Sequence, residues 1–155
     1  MADDKAAQRK KQKLMGHALV QEGIITPKQL KFVLREQRKV GREKKELLGE
    51  ILIRSGLVEE SRMISFLEKF LGIPYVRLRQ LENIDLPVVK MIPETMARNF
   101  KVLAIGLNKK TNKLIVVMGN PFDIIALDTI RMRTGYEIEK CFSQSKDIEE
   151  AIDRL

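Results

Sequence analysis

The chain has 155 residues, 44% hydrophobic and 32% charged, enough to bury one core or two small ones and stay soluble. No apolar run approaches the roughly 18 residues of a membrane span, and the polar, basic start from Met1 to Lys13 leads into no apolar stretch, so no signal peptide is expected. A single cysteine, Cys141, cannot close an internal disulfide, so a reducing cytoplasm is the expected address.

The net charge of +8 is unevenly placed: residues 1–46 hold 13 Lys/Arg against 6 Asp/Glu, and the remainder 16 against 15. The excess gathers in Lys5-Arg9-Lys10-Lys11-Lys13 and in Arg38-Lys39-Arg42-Lys44-Lys45. The first run reads as a flexible basic tail over residues 1–13. The second suits an acidic partner, an anionic surface or a nucleotide as well as it suits a solvated linker.

From residue 14 the chain repeats itself. Gly16, Leu19, Val20 and Gly23 recur as Gly49, Leu52, Ile53 and Gly56, and Leu30 and Leu34 as Met63 and Leu67, at a constant offset of 49 − 16 = 33. Each copy reads as helix, glycine stop, short turn and helix, with Thr26 as an N-cap, Pro27 at the first helical position and a restart near Glu59. Met63, Phe66, Leu67 and Phe70 are expected on the inner face of the last helix. Two copies are too few for a solenoid and suit a four-helix lobe over residues 14–72.

After Gly72 the texture changes. Residues 73–78 read as extended, and residues 87–100 as helical with a break at Pro93. Residues 102–107 and 114–118 read as strands joined by the polar turn 108–113. Residues 123–133 form an amphipathic helix through Ile125, Leu127 and Ile130, with Asp123 at its N-terminus. A strand over 136–142 and a helix over 146–155 follow. The fold class is therefore α+β: a helical lobe, then a small lobe over residues 73–155 with helices on one sheet face.

Catalytic chemistry is hard to build from these residues. With one histidine and one cysteine there is no metal cluster, and neither GxxxxGK[ST] nor GxGxxG occurs. His17 reads as a partly exposed helix residue and Cys141 as a packed thiol. Asp123 and Asp128, five apart on one helix, face different ways. Aromatic residues at 5%, scattered and without Trp, make no stacking platform. Lys28, Lys31 and Arg35 lack a base-reading partner, so no nucleic acid is expected.

The ordered series Gly16…Leu19-Val20-x-x-Gly23-x-Ile25-x-x-x-x-Leu30-x-x-x-Leu34-x-x-Gln37, then Leu48-Gly49-x-x-Leu52-Ile53-x-x-Gly56, resembles the repeated motif of the MshEN-type N-terminal domain of type II secretion (GspE-like) and type IV pilus assembly (PilB-like) ATPases. Leu71-Gly72-Ile73-Pro74-Tyr75-Val76, Ile92-Pro93-Glu94-x-x-Ala97, Asn120-Pro121-x-Asp123 and Ile148-Glu149-Glu150-Ala151-Ile152 resemble its second lobe. The resemblance implies a non-enzymatic module, cytoplasmic and peripheral to the inner membrane. It would dock a motor, whose ATPase core follows in cis if the chain is a fragment, onto the cytoplasmic domain of a membrane platform protein. Arg38, Lys39 and Arg42 are the candidate docking residues.

In some relatives the repeats instead bind cyclic di-GMP, beginning each motif with Arg-Leu-Gly and ending it with Gln. The candidate nucleotide-binding positions here are Gly16, Leu19, Gly23, Leu30, Leu34, Gln37, Gly49, Leu52, Gly56 and Leu67, with Lys13 beside the first missing arginine. Leu14 and Leu47 stand where the arginines would, and Phe70 replaces the second glutamine. Two guanine edges left without donors, at roughly 1–3 kcal/mol each, imply an affinity weaker than about 10 μM. No other cofactor and no metal is expected.

Overall fold

The computed structural model describes residues 2–39 and 46–155, with side chains from Lys10 onward. The chain divides into two compact units, one ending at Gly72 and one beginning at Ile73.

The first unit contains α1 (Ala2–Gln21), α2 (Pro27–Lys39), α3 (Leu48–Arg54) and α4 (Glu60–Leu71). Helix α1 begins at Ala2, so residues 2–13 are helical rather than a tail. The stretch is rich in Ala, Lys, Gln and Arg, all strong helix formers, and no Gly or Pro interrupts it.

The repeat is structural down to single hydrogen bonds. Ile24 N and Ile25 N both donate to Leu19 O, and 33 residues on, Leu57 N and Val58 N both donate to Leu52 O. Gly23 and Gly56 turn the chain at φ +73° and +76°, a conformation that costs a residue with a Cβ about 1–2 kcal/mol. Thr26 caps α2 reciprocally: its Oγ1 accepts from Gln29 N at 3.1 Å, while its own N donates to Gln29 Oε1 at 2.8 Å. The core is the shared apolar face of both copies, with Leu19, Val33, Leu48, Ile51, Leu52 and Met63 fully buried. Phe70 departs from its expected inward position and is 37% exposed, stacked on Phe66 at 5.6 Å. It lies in the last turn of α4, where Phe66 already fills the inner position.

The second unit contains α5 (Leu86–Val89), α6 (Glu94–Phe100), β1 (Val102–Asn108), β2 (Lys113–Met118), α7 (Ile124–Thr134), β3 (Ile138–Phe142) and α8 (Ser145–Arg154). The sheet order is β1-β2-β3, with β1 antiparallel to β2 and β2 parallel to β3, so β2–α7–β3 is a βαβ unit. Residues 74–76 extend the sheet beyond β3: Phe142 N donates to Pro74 O and Val76 N to Phe142 O. Asp123 caps α7 as its position suggests, its Oδ1 accepting from Ala126 N at 3.1 Å. Ile125 faces outward, and Ala126, Leu127 and Ile130 supply the buried side.

Candidate functional site

The repeat positions singled out by sequence fall into three groups. Gly16, Leu19, Gly49 and Leu52 are buried, and the two leucines have no exposed surface. Leu30, Leu34, Gln37 and Leu67 are half-buried, while Lys13, Gly23 and Gly56 are exposed.

The two motif glycines are packing sites. A Cβ on Gly16 would lie 2.8 Å from Leu30 Cδ1, and a Cβ on Gly49 would lie 3.1 Å from Met63 Cε. Leu30 and Met63 are themselves repeat partners, so each glycine admits the apolar side chain of its own hairpin. A side chain at either position would have to displace that neighbour.

Gln37, the one polar residue retained from the nucleotide motif, is engaged within the lobe. Its Nε2 donates to Gln12 Oε1 on α1 at 2.8 Å and to Glu46 O ahead of α3 at 3.1 Å. Leu14 is 55% exposed on α1, and Leu47 is the half-buried residue preceding α3.

A charged surface stands beside these positions. Lys28, Lys31, Arg35 and Arg38 are exposed on α2 at spacings of three, four and three, which places them along one helix face. Phe32, 48% exposed, borders this face, with Lys28 and Arg35 on one side of it and Gln29 and Glu36 on the other. Lys39 is also exposed, 3.6 Å from Glu36, the sole acidic residue of α2. Of the candidate docking residues, Arg38 and Lys39 thus sit at the end of this face, and Arg42 lies outside the described residues. The signal was present in sequence as three basic residues beside an apolar face. Phe32 passed unnoticed, because periodicity alone does not say which aromatic residue turns outward.

The second unit offers a cavity of ≈ 380 Å³ over β1, between α5, α6 and α8. Its walls include Val89, Ile92, Ala97, Leu103 and Ile152, with Glu94, Arg98 and Asp153 among its polar lining. Arg98 bonds Asp153 at 2.8 Å and Glu94 at 2.9 Å, and these carboxylates raise its pKa further. Among the described residues there is no group of three His, Cys, Asp or Glu that could hold a metal, and no helix is long and apolar enough to cross a membrane. Cys141 is buried with its Sγ directed at Val116 O at 3.4 Å, and burial pushes its thiol up to about 12.

Comparison with known proteins gives a consistent result. The model of the MshEN domain matches residues 71–155, a little over half of the chain. A type IV pilus assembly ATPase PilB of Myxococcus xanthus is 34% identical over 140 residues, covering 90% of this chain. A PilB of Thermus thermophilus is 31% identical over 127 residues, covering 82%. The chain spans only 24% and 14% of the lengths of these two curated relatives. Among solved structures, MshE with cdg (cyclic di-GMP) matches at 30% identity with a TM-score of 0.72, covering 90% of this chain and 96% of that one. The N-terminal domain of XpsE matches at 22% identity with a TM-score of 0.63, over 91% and 92% of the two chains, a likeness of fold alone.

Proposed function

Since the chain belongs to the MshEN domain family, we propose that it is a non-catalytic interaction module of a pilus or secretion ATPase, seating the motor on the acidic cytoplasmic domain of an inner-membrane platform protein. The motor core would lie in cis, and the domain would be cytoplasmic, reaching the membrane only through its partner. The observation that carries this reading is the exposed basic face of α2, ending in Arg38 and Lys39. Charge of one sign on one helix face speeds encounter with an acidic partner, while apolar contact supplies the affinity.

A second reading, cyclic di-GMP binding through the two repeats, is favoured by the similarity to MshE with cdg. Against it stand the apolar residues at both arginine positions and the internal engagement of Gln37.

The test is binding of the whole chain to the cytoplasmic domain of its inner-membrane platform protein, measured as salt is raised from about 50 to about 500 mM. Association should slow with salt, and reversing Arg38, Lys39 and Arg42 to Glu should slow it at low salt. Absence of binding at low salt would overturn the docking reading. A partner affinity that changes when cyclic di-GMP is added would favour the second.

A further inference from the structure

Helix α2 presents two unlike faces. One packs Leu30, Val33 and Leu34 into the core of the first unit, and the other presents Lys28, Lys31, Arg35 and Arg38 with Phe32 at their edge. An exposed aromatic ring with a row of cations along one side has the make-up of an interface anchor: a rigid apolar body for affinity and a charged flank for orientation.

Resting on the docking reading above, we infer that this outer face of α2 binds an acidic amphipathic helix of the partner, with Phe32 as the anchor. From Lys28 to Arg38 the cations span ten residue steps, or about 15 Å at 1.5 Å rise per step. A helix lying alongside with carboxylates three and four apart matches that ladder, and an apolar residue one turn in from its acidic edge meets Phe32. A lipid surface fits less well, because insertion needs a broad apolar face and α2 has turned its own inward. Single-stranded nucleic acid needs several stacking rings, and this face has one.

The experiment uses the full chain and the platform protein's cytoplasmic domain at low salt, with phosphatidylserine vesicles as a parallel probe. Phe32→Ala should weaken binding to the domain at least tenfold, chiefly through faster dissociation. Lys31→Glu with Arg35→Glu should slow association at least tenfold. Lys109→Glu with Lys110→Glu, a reversal of exposed charge in the turn between β1 and β2, should change neither. Circular dichroism of each variant establishes that α2 is still folded, and every one of these positions is solvent-facing. If the unmodified chain binds and the α2 variants bind equally well, this assignment is wrong and the docking reading survives. If the unmodified chain does not bind the domain, the docking reading fails and this inference with it. Loss confined to vesicle binding would make the face a membrane contact and overturn the proposal.

Discussion

Gln37 on α2 holds Gln12 on α1 through a 2.8 Å hydrogen bond and, through its other amide hydrogen, the carbonyl of Glu46 ahead of α3. One side chain therefore fastens three segments of the first unit. Gln37→Ala should destabilise the protein by about 1–2 kcal/mol, at roughly 1 kcal/mol per part-buried hydrogen bond. Chemical denaturation is the check, and an unchanged midpoint would assign Gln37 no structural part.

The motif glycines should respond unequally to substitution. Val at Gly16 must displace Leu30 from 2.8 Å and add a branched side chain between α1 and α2, at a cost of roughly 1–3 kcal/mol. Ala at Gly49 approaches closely only the flexible end of Met63, with Leu67 at ordinary contact distance, and gains a part of the roughly 1 kcal/mol of helix propensity, so that variant should be neutral or slightly stabilised. Thermal melting of the two separates them, and equal losses would contradict the packing described.

For cyclic di-GMP, the expected affinity is weaker than about 10 μM, near −7 kcal/mol. Leu14→Arg with Leu47→Arg should strengthen it at least tenfold, since the first site is exposed and the second half-buried at the start of α3. Titration calorimetry decides. Submicromolar binding by the unaltered chain would show that Lys13 or another cation takes the place of the arginines.

Cys141 should resist thiol reagents such as DTNB at pH 8 until the protein unfolds, because its side chain is buried and its thiol is held protonated. The raised pKa also has a thermodynamic sign. Below the ordinary value of 9.0 the thiol is neutral in both states and its contribution to stability is complete. Above it the unfolded chain loses the proton first, so stability falls as pH climbs from 9.0 toward about 12. Cys141→Ala should flatten that decline. Rapid labelling of the native protein at pH 8 is the contrary outcome.

No ATP turnover is expected of the purified chain, since it has no phosphate-cradling GxxxxGK[ST] loop. Hydrolysis that persists through repeated purification and follows the protein's concentration would count against a purely interacting role.

The helical hairpins were legible in sequence because glycine and leucine impose their own periodicity, and the offset of 33 reappears in hydrogen bonds as well as in residue types. The capping box of Thr26 and Gln29 was also within reach, as a Thr followed three residues later by Gln. The β1–β2 hairpin could be read from its polar turn. The parallel pairing of β2 with β3 was not, because nothing local to either strand specifies a partner across α7. Phe70 and Ile125 turn outward for a related reason: helical spacing locates a stripe, and competition from Phe66 and Leu127 decides which members of it turn inward. The candidate site was the least legible part. Whether Gln37 is free for a ligand depends on Gln12, 25 residues away, whose position only the folded chain supplies.

The bridge between Tyr75 and Phe142 joins residues 67 apart, and it seats the first segment of the second unit beside the last strand. During synthesis, residues 74–76 leave the ribosome with no strand to pair with and acquire one only after β3 has been made. The two hairpins of the first unit close local contacts and can form well before that moment, whereas the sheet closes late, at the entropic cost of a long loop. Truncation before β3 would therefore leave a folded helical unit trailing an unpaired extended segment, and translational pausing upstream of residue 138 should lengthen that segment's exposure.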